Sequence, residues 1–165
     1  MRRKIKYIIL HCTDSLWGEV DEVRHWHKQR GFDDIGYHYL ICNRYPYYWN
    51  LKENKPDPLF DGVVQKGRSE DIPGAHTKGK NSLSIGVALV GTTKFTASQF
   101  ESLKFLLKSL MEKYNLSVAN IRGHYEFNPN KTCPNIVMNT FRAELREYLT
   151  KRKIKDKKER YVRKA

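Results

Sequence analysis

The sequence predicts a single α/β domain, a central mixed β-sheet flanked by helices, on three observations. Apolar, β-rich runs recur at 5–11, 36–43 and 84–90. Stretches with helical periodicity alternate with them, the clearest at 97–114. The 165 residues, 39% apolar and 12% aromatic, suit one domain with its own core rather than a disordered chain. Interleaved strands and helices imply helices packed on a sheet.

In chain order, 5–11 has no polar alternation and reads as a strand buried on both faces. A short helix follows at 20–30, with Val20, Val23 and either Trp26 or His27 near helical spacing and Gly31 at its stop. The 36–43 run (GYHYLICN) reads as a strand, 44–61 as a long Tyr-rich loop and 62–66 as a return strand. The 84–90 run (SIGVALV) reads as a buried strand. Thr96 and Gln99 form a capping box for the helix at 97–114, whose Phe100, Leu103, Leu107, Leu110 and Met111 lie on one stripe. An extended segment is expected at 118–123 and a second amphipathic helix at 137–149, through Val137, Phe141, Leu145 and Leu149. The folded domain is therefore placed at 1–150 and a basic C-terminal tail at 151–165.

The formal net charge is +13, and the tail holds nine basic and two acidic residues, a net of +7. Charge of this kind suits nucleic acid, an anionic wall or a membrane surface without choosing among them. No apolar run approaches the ~20 residues of a membrane span. The basic start is followed by too short an apolar stretch for a signal peptide, whose core needs ~7–15 residues. Three cysteines, an odd number, argue against a disulfide scaffold and leave free thiols or a metal ligand.

His11 ends the first strand, His124 follows the extended segment, and Cys133 lies in the turn-rich NPNKTCPN. Two imidazoles and a thiolate suit a catalytic zinc with one open position. With no HExxH and no CxxC, spacing alone favours two ordinary histidines and a loop thiol. Tyr37 and Lys131 are a phenol and an ammonium that can move protons or stabilise an oxyanion. Spacing alone reads them as a half-buried tyrosine and a solvated lysine. Cys12 and His38 face away from His11 and Tyr37 by strand alternation, and Cys42 sits mid-strand, so all three read as structural. His25 and His27 lack a partner at ligand spacing.

Four blocks carry a family resemblance: IILHCT at 8–13, VRHWHKQRGFDDIGYHYLI at 23–41, GAHTKGKNSLSIGVALVG at 74–91 and GHYEFNPNKTCP at 123–134. In this order they resemble the zinc-dependent N-acetylmuramoyl-L-alanine amidases, a family that includes T-odd phage lysozymes and peptidoglycan recognition proteins. The likeness is nearest to the phage lysozymes. It implies that His11, His124 and Cys133 bind Zn2+ in a surface cleft at the sheet rim, that Tyr37 and Lys131 are catalytic, and that His76 borders the substrate. Some members place a glutamate in the central strand where this chain has Ala88, which puts a carboxylate base in doubt.

The resemblance implies hydrolysis of the amide between N-acetylmuramic acid and L-alanine in peptidoglycan, by a monomeric endolysin held in the host cytoplasm until release to the cell wall. The tail is expected to meet anionic envelope polymers. Two rivals stand beside this reading. One is a peptidoglycan-binding module of the same fold that does not cut, against which the intact ligand and catalytic positions argue. The other is a basic nucleic-acid-binding protein, for which no zinc-finger, helix-turn-helix or RRM signature is found.

Overall fold

The computed structural model describes residues 3–164. Met1 and Arg2, at the start of the basic N-terminal stretch, and Ala165, at the end of the tail, lie outside the described residues. Strand β1 (Tyr7–Cys12) is buried almost throughout, as an unbroken apolar run requires. β2 (Tyr39–Ile41), β3 (Val64–Lys66), β4 (Ser84–Leu89) and β5 (Ile121–Gly123) complete a five-stranded sheet in the order β3-β2-β4-β1-β5. β1 pairs in parallel with β4 and β5, β2 runs parallel to β4, and β3 pairs antiparallel to β2 at one edge. The sheet is therefore mixed, as expected.

Helices cover both faces. α1 (Val20–Gln29) lays Val23 against Ile35, Leu40, Ala88 and Val90. α3 (Ala97–Tyr114) and α4 (Met138–Lys164) cover the other face, where Leu103, Leu107, Phe141 and Leu145 meet Ile8, Leu10, Ile85 and Val87. Each fully buried leucine there contributes about 1.5–3 kcal/mol. The α3 box forms as expected: Gln99 N–H donates to Thr96 Oγ1 and Thr96 N–H to Gln99 Oε1, both at 3.0 Å. Gln99 does more than cap. Its buried amide donates to the carbonyls of Ile41 and Val90, tying the helix start to β2 and β4.

Three elements differ from the sequence reading. The strand expected at 36–43 shortens to Tyr39–Ile41, because the carbonyls of Gly36 and Tyr37 accept from Ala75 and Arg68 instead of a strand ladder. The 44–61 loop contains a short helix, α2 (Tyr48–Lys52), anchored by Asn50, whose buried side chain accepts from Tyr47 N–H and donates to Lys55 O. The last helix does not stop at 149 but continues to Lys164, with its final two turns and more exposed. No helix among the described residues is long and apolar enough to cross a membrane.

Candidate metal centre

The parallel register of β1 and β5 builds the site. Leu10 is the partner of Gly123, so the next residues, His11 and His124, emerge side by side at the sheet rim. Their rings lie 4.7 Å apart. Glu126 fixes the turn that carries His124: it accepts from Gly123 N–H at 2.9 Å and takes two bonds from Arg142 at 2.8 and 3.1 Å. Tyr125 N–H donates to Cys133 O at 2.9 Å and draws the cysteine loop against the same turn. Cys133 Sγ then lies 3.7 Å from His11 Nδ1 and accepts from Cys12 N–H at 3.3 Å. Donor atoms of His11, His124 and Cys133 all fall within 4.8 Å of one another.

The local electrostatics suit a cation. Burial, then the neighbouring His76, His124 and His27, hold His11 well below the usual imidazole range. Burial and the charge of Lys131 lower His124. Both rings are therefore neutral at neutral pH, the form that ligates metal. The hydrogen bond with the Cys12 thiol and burial push the Cys133 thiol up, and only a strong local positive charge would make it a thiolate. Two neutral imidazoles and one thiol at this spacing fit a tetrahedral N/S ion with one position open.

The trio borders a cavity of about 430 Å³, whose walls include Tyr37, His76 and Lys131. The Tyr37 ring lies 5.2 Å from that of His11. Burial raises its phenol above the ordinary range, so it is an O–H donor rather than a base. Lys131 is exposed on the loop two residues before Cys133 and lines the cavity. His76 is 8% exposed, and its Nδ1 lies 2.9 Å from His11 Nε2. Burial, then His38 and His124, depress His76 to about 3. Ala88 is the register partner of His11 on β4, so no carboxylate stands there. The cavity does hold one carboxylate, the exposed Asp14.

Several bystanders are placed clearly. Cys12, expected to face away from His11, instead lines the same cavity, where its thiol hydrogen-bonds that of Cys133, because the cysteine loop folds back over the end of β1; it stays outside the three-residue group. His38 is structural: Gly86 N–H donates to its Nδ1 and its Nε2 meets Ile72 O, each at 2.9 Å. Cys42 is buried beside Gln65, and His25 is exposed. His27 and Arg30 also line the cavity, a placement that sequence reasoning missed. Its one signal was the helix phase, ambiguous between positions 26 and 27. Of the loop aromatics, none of Tyr45, Tyr47, Tyr48 and Trp49 lines this cavity; Tyr48 stacks beside Trp17 and Tyr45 faces a separate, smaller hollow.

Comparison with known proteins bears on this geometry. Residues 1–136 match the family model described as N-acetylmuramoyl-L-alanine amidase. The endolysin of Escherichia phage T7 is 36% identical over 144 residues, covering 81% of this chain and 82% of the phage protein. The endolysin of Klebsiella phage KP32 is 33% identical over the same shares of each chain. Among solved structures, the N-acetylmuramoyl-L-alanine amidase LysC from Clostridium intestinale URNW superposes with a TM-score of 0.71 at 28% identity, covering 87% of each chain.

Proposed function

The chain belongs to the N-acetylmuramoyl-L-alanine amidase family, and from that premise we propose how its cavity performs the reaction. The protein is a peptidoglycan amidase of the endolysin kind, hydrolysing the amide that joins N-acetylmuramic acid to L-alanine. The family is metal-dependent, and we assign the ion as zinc, held by His11, His124 and Cys133. The observation that carries this is their convergence at the floor of a cavity walled by Tyr37 and Lys131. Zinc bound there supplies Lewis acidity and a water acidified towards neutral pH.

The chain's own groups do the rest. Lys131, exposed in the cavity wall, offers its ammonium to the substrate carbonyl oxygen, where negative charge develops as the carbon becomes tetrahedral. Tyr37 keeps its proton, and its hydroxyl donates a hydrogen bond that orients the attacking water or the carbonyl. With Ala88 beside His11, the strand carboxylate base that some members use has no counterpart at that position. His76 closes the cavity wall behind His11.

The net +7 of 151–165, carried on the exposed end of α4, suits attraction to anionic envelope polymers. The likeness to phage endolysins supports residence in the host cytoplasm until release to the wall. The test of the reaction is digestion of purified peptidoglycan with mass spectrometry of the new ends. Free lactyl carboxylate and L-alanine amino ends are expected. New reducing sugar ends would make the protein a glycosidase, and zinc uptake without any new ends would make it a binding module.

A further inference from the structure

We propose that His76 is a positioning residue that fixes, before any metal arrives, which nitrogen of His11 faces the metal centre. This deepens the reading above and rests on His11 as a ligand. The starting point is directional. His11 Nδ1 faces Cys133 Sγ, while His11 Nε2 faces His76 Nδ1 at 2.9 Å. A neutral imidazole has one N–H and one lone pair. If the lone pair is to point at the metal, the proton must sit on Nε2, and an acceptor must receive it.

The hydrogen bonds behind His11 run in one consistent direction. His11 Nε2–H donates to His76 Nδ1. His76 then carries its proton on Nε2, which faces Ser84 Oγ at 3.4 Å. The Ser84 hydroxyl in turn donates to Lys80 O at 2.8 Å. The chain ends on a carbonyl, which can only accept, so every donor direction before it is set. Thr77 Oγ1, 3.1 Å from His76 Nδ1 and 3.4 Å from His11 Nε2, lies against the central link.

The fold holds His76 in this place. Asn81 Oδ1 accepts from the backbone N–H groups of both His76 and Thr77 at 2.9 Å. Arg3 donates to the carbonyls of Glu70, Ile72, Asn81 and Ser84, pinning both ends of the segment that carries the ring. The ring fills a slot that two glycines leave open: a Cβ at Gly86 would lie 2.6 Å from His76 Cδ2, and one at Gly74 2.4 Å from the same atom. A glycine in the middle of a central strand costs sheet stability, and here the room it gives is taken by this imidazole. Partners behind a ligating histidine fix its tautomer and strengthen its donor nitrogen.

The test begins with wild-type protein labelled with ¹⁵N at histidine. Long-range proton–nitrogen spectra of the metal-free form should show His11 protonated at Nε2 and His76 bare at Nδ1, with both patterns kept after one equivalent of zinc is added. His11 protonated at Nδ1, or His76 protonated at Nδ1, overturns the proposal. Zinc affinity, measured by competition with a chromogenic chelator, provides the second readout. His76→Phe should weaken it about 10–100-fold, and His76→Gln, which can accept from His11 and donate to Ser84, should recover most of the loss. Ser84→Ala, distant from the metal, should give a smaller loss in the same direction. Unchanged affinity in a folded His76→Phe protein, or equal losses in the Phe and Gln variants, overturns it too. Should the wild-type protein show these tautomers but take up no zinc, the orientation of His11 stands and the metal assignment falls.

Discussion

The metal corner and the far end of α4 are both rich in chargeable groups, yet they are held in opposite ways. At the corner, His11, His124 and Cys133 come from β1, the turn after β5 and a loop, and each is fixed by hydrogen bonds from a different part of the chain. The end of α4 meets almost nothing. Met138, Phe141 and Leu145 anchor its start, whereas Ile154 is 52% exposed and Tyr161 71%. The ion pairs of that region, Lys151 with Glu147 and Lys155 with Glu159, are exposed and add little, because water screens them. Chemistry at the corner thus depends on single atoms at fixed positions. The extension offers summed charge instead, which salt can screen.

The largest expected effect breaks the corner. Cys133→Ser should lose most bound zinc by metal analysis and with it peptidoglycan cleavage, whereas Cys12→Ser, outside the three-residue group, should keep both. Metal loss in the Cys12 variant alone would mean the wrong sulfur had been assigned. Next in size, Lys131→Ala should retain zinc and lose about 10²–10³-fold in turnover, the usual effect of removing one oxyanion donor. Tyr37→Phe should also retain metal and lose most turnover. Near-normal turnover in metal-loaded Lys131→Ala protein would remove Lys131 from the chemistry.

A third, smaller effect concerns protons. Burial lowers His27 and His38 to about 4 and His76 to about 3, against ~6.5 in an unfolded chain. Below pH ~6.5 the unfolded chain takes up protons that the folded one refuses, so stability falls as pH falls towards those folded values. Glu70 and Glu126 have lowered values, so their stabilisation is lost only at more acidic pH. Metal-free protein should therefore melt at a lower temperature near pH 5 than near pH 7. A flat profile across that window would show that these buried imidazoles do not resist protonation.

The sequence made the corner's parts visible more readily than their connections. The unbroken apolar run of β1 and the Thr96–Gln99 box are local signals, and both elements form where expected. The three donors became recognisable only through the order of the family blocks, because their convergence depends on β1–β5 register, which no local pattern encodes. His27 entered the cavity unannounced because helix phase at 26 and 27 was ambiguous. Engagement of both His76 nitrogens depends on Asn81, Gly74 and Gly86, contacts invisible to periodicity. The run of α4 past 149 was missed for a different reason. Its apolar stripe ends there, and a fully exposed charged helix carries no hydrophobic period to read.

The smallest effect belongs to that extension. Removing 151–165 should leave cleavage of small soluble substrates nearly intact, because almost none of it is buried. Lysis of whole walls should slow at low salt, and the deficit should shrink as salt rises and the screening length falls to ~8 Å at physiological strength. A deficit independent of salt, or shared by small substrates, would show that the extension acts by docking rather than by charge.

The most direct test of the metal corner is a zinc titration of chelator-stripped protein, with release of L-alanine amino ends from purified peptidoglycan followed by mass spectrometry. Recovery should rise linearly and stop at one equivalent of zinc per chain, and Cys133→Ser protein should not recover at that ratio. Full cleavage by stripped protein before any metal is added, or equal recovery by the Cys133→Ser variant, would contradict the assignment of His11, His124 and Cys133 as the centre on which the reaction depends.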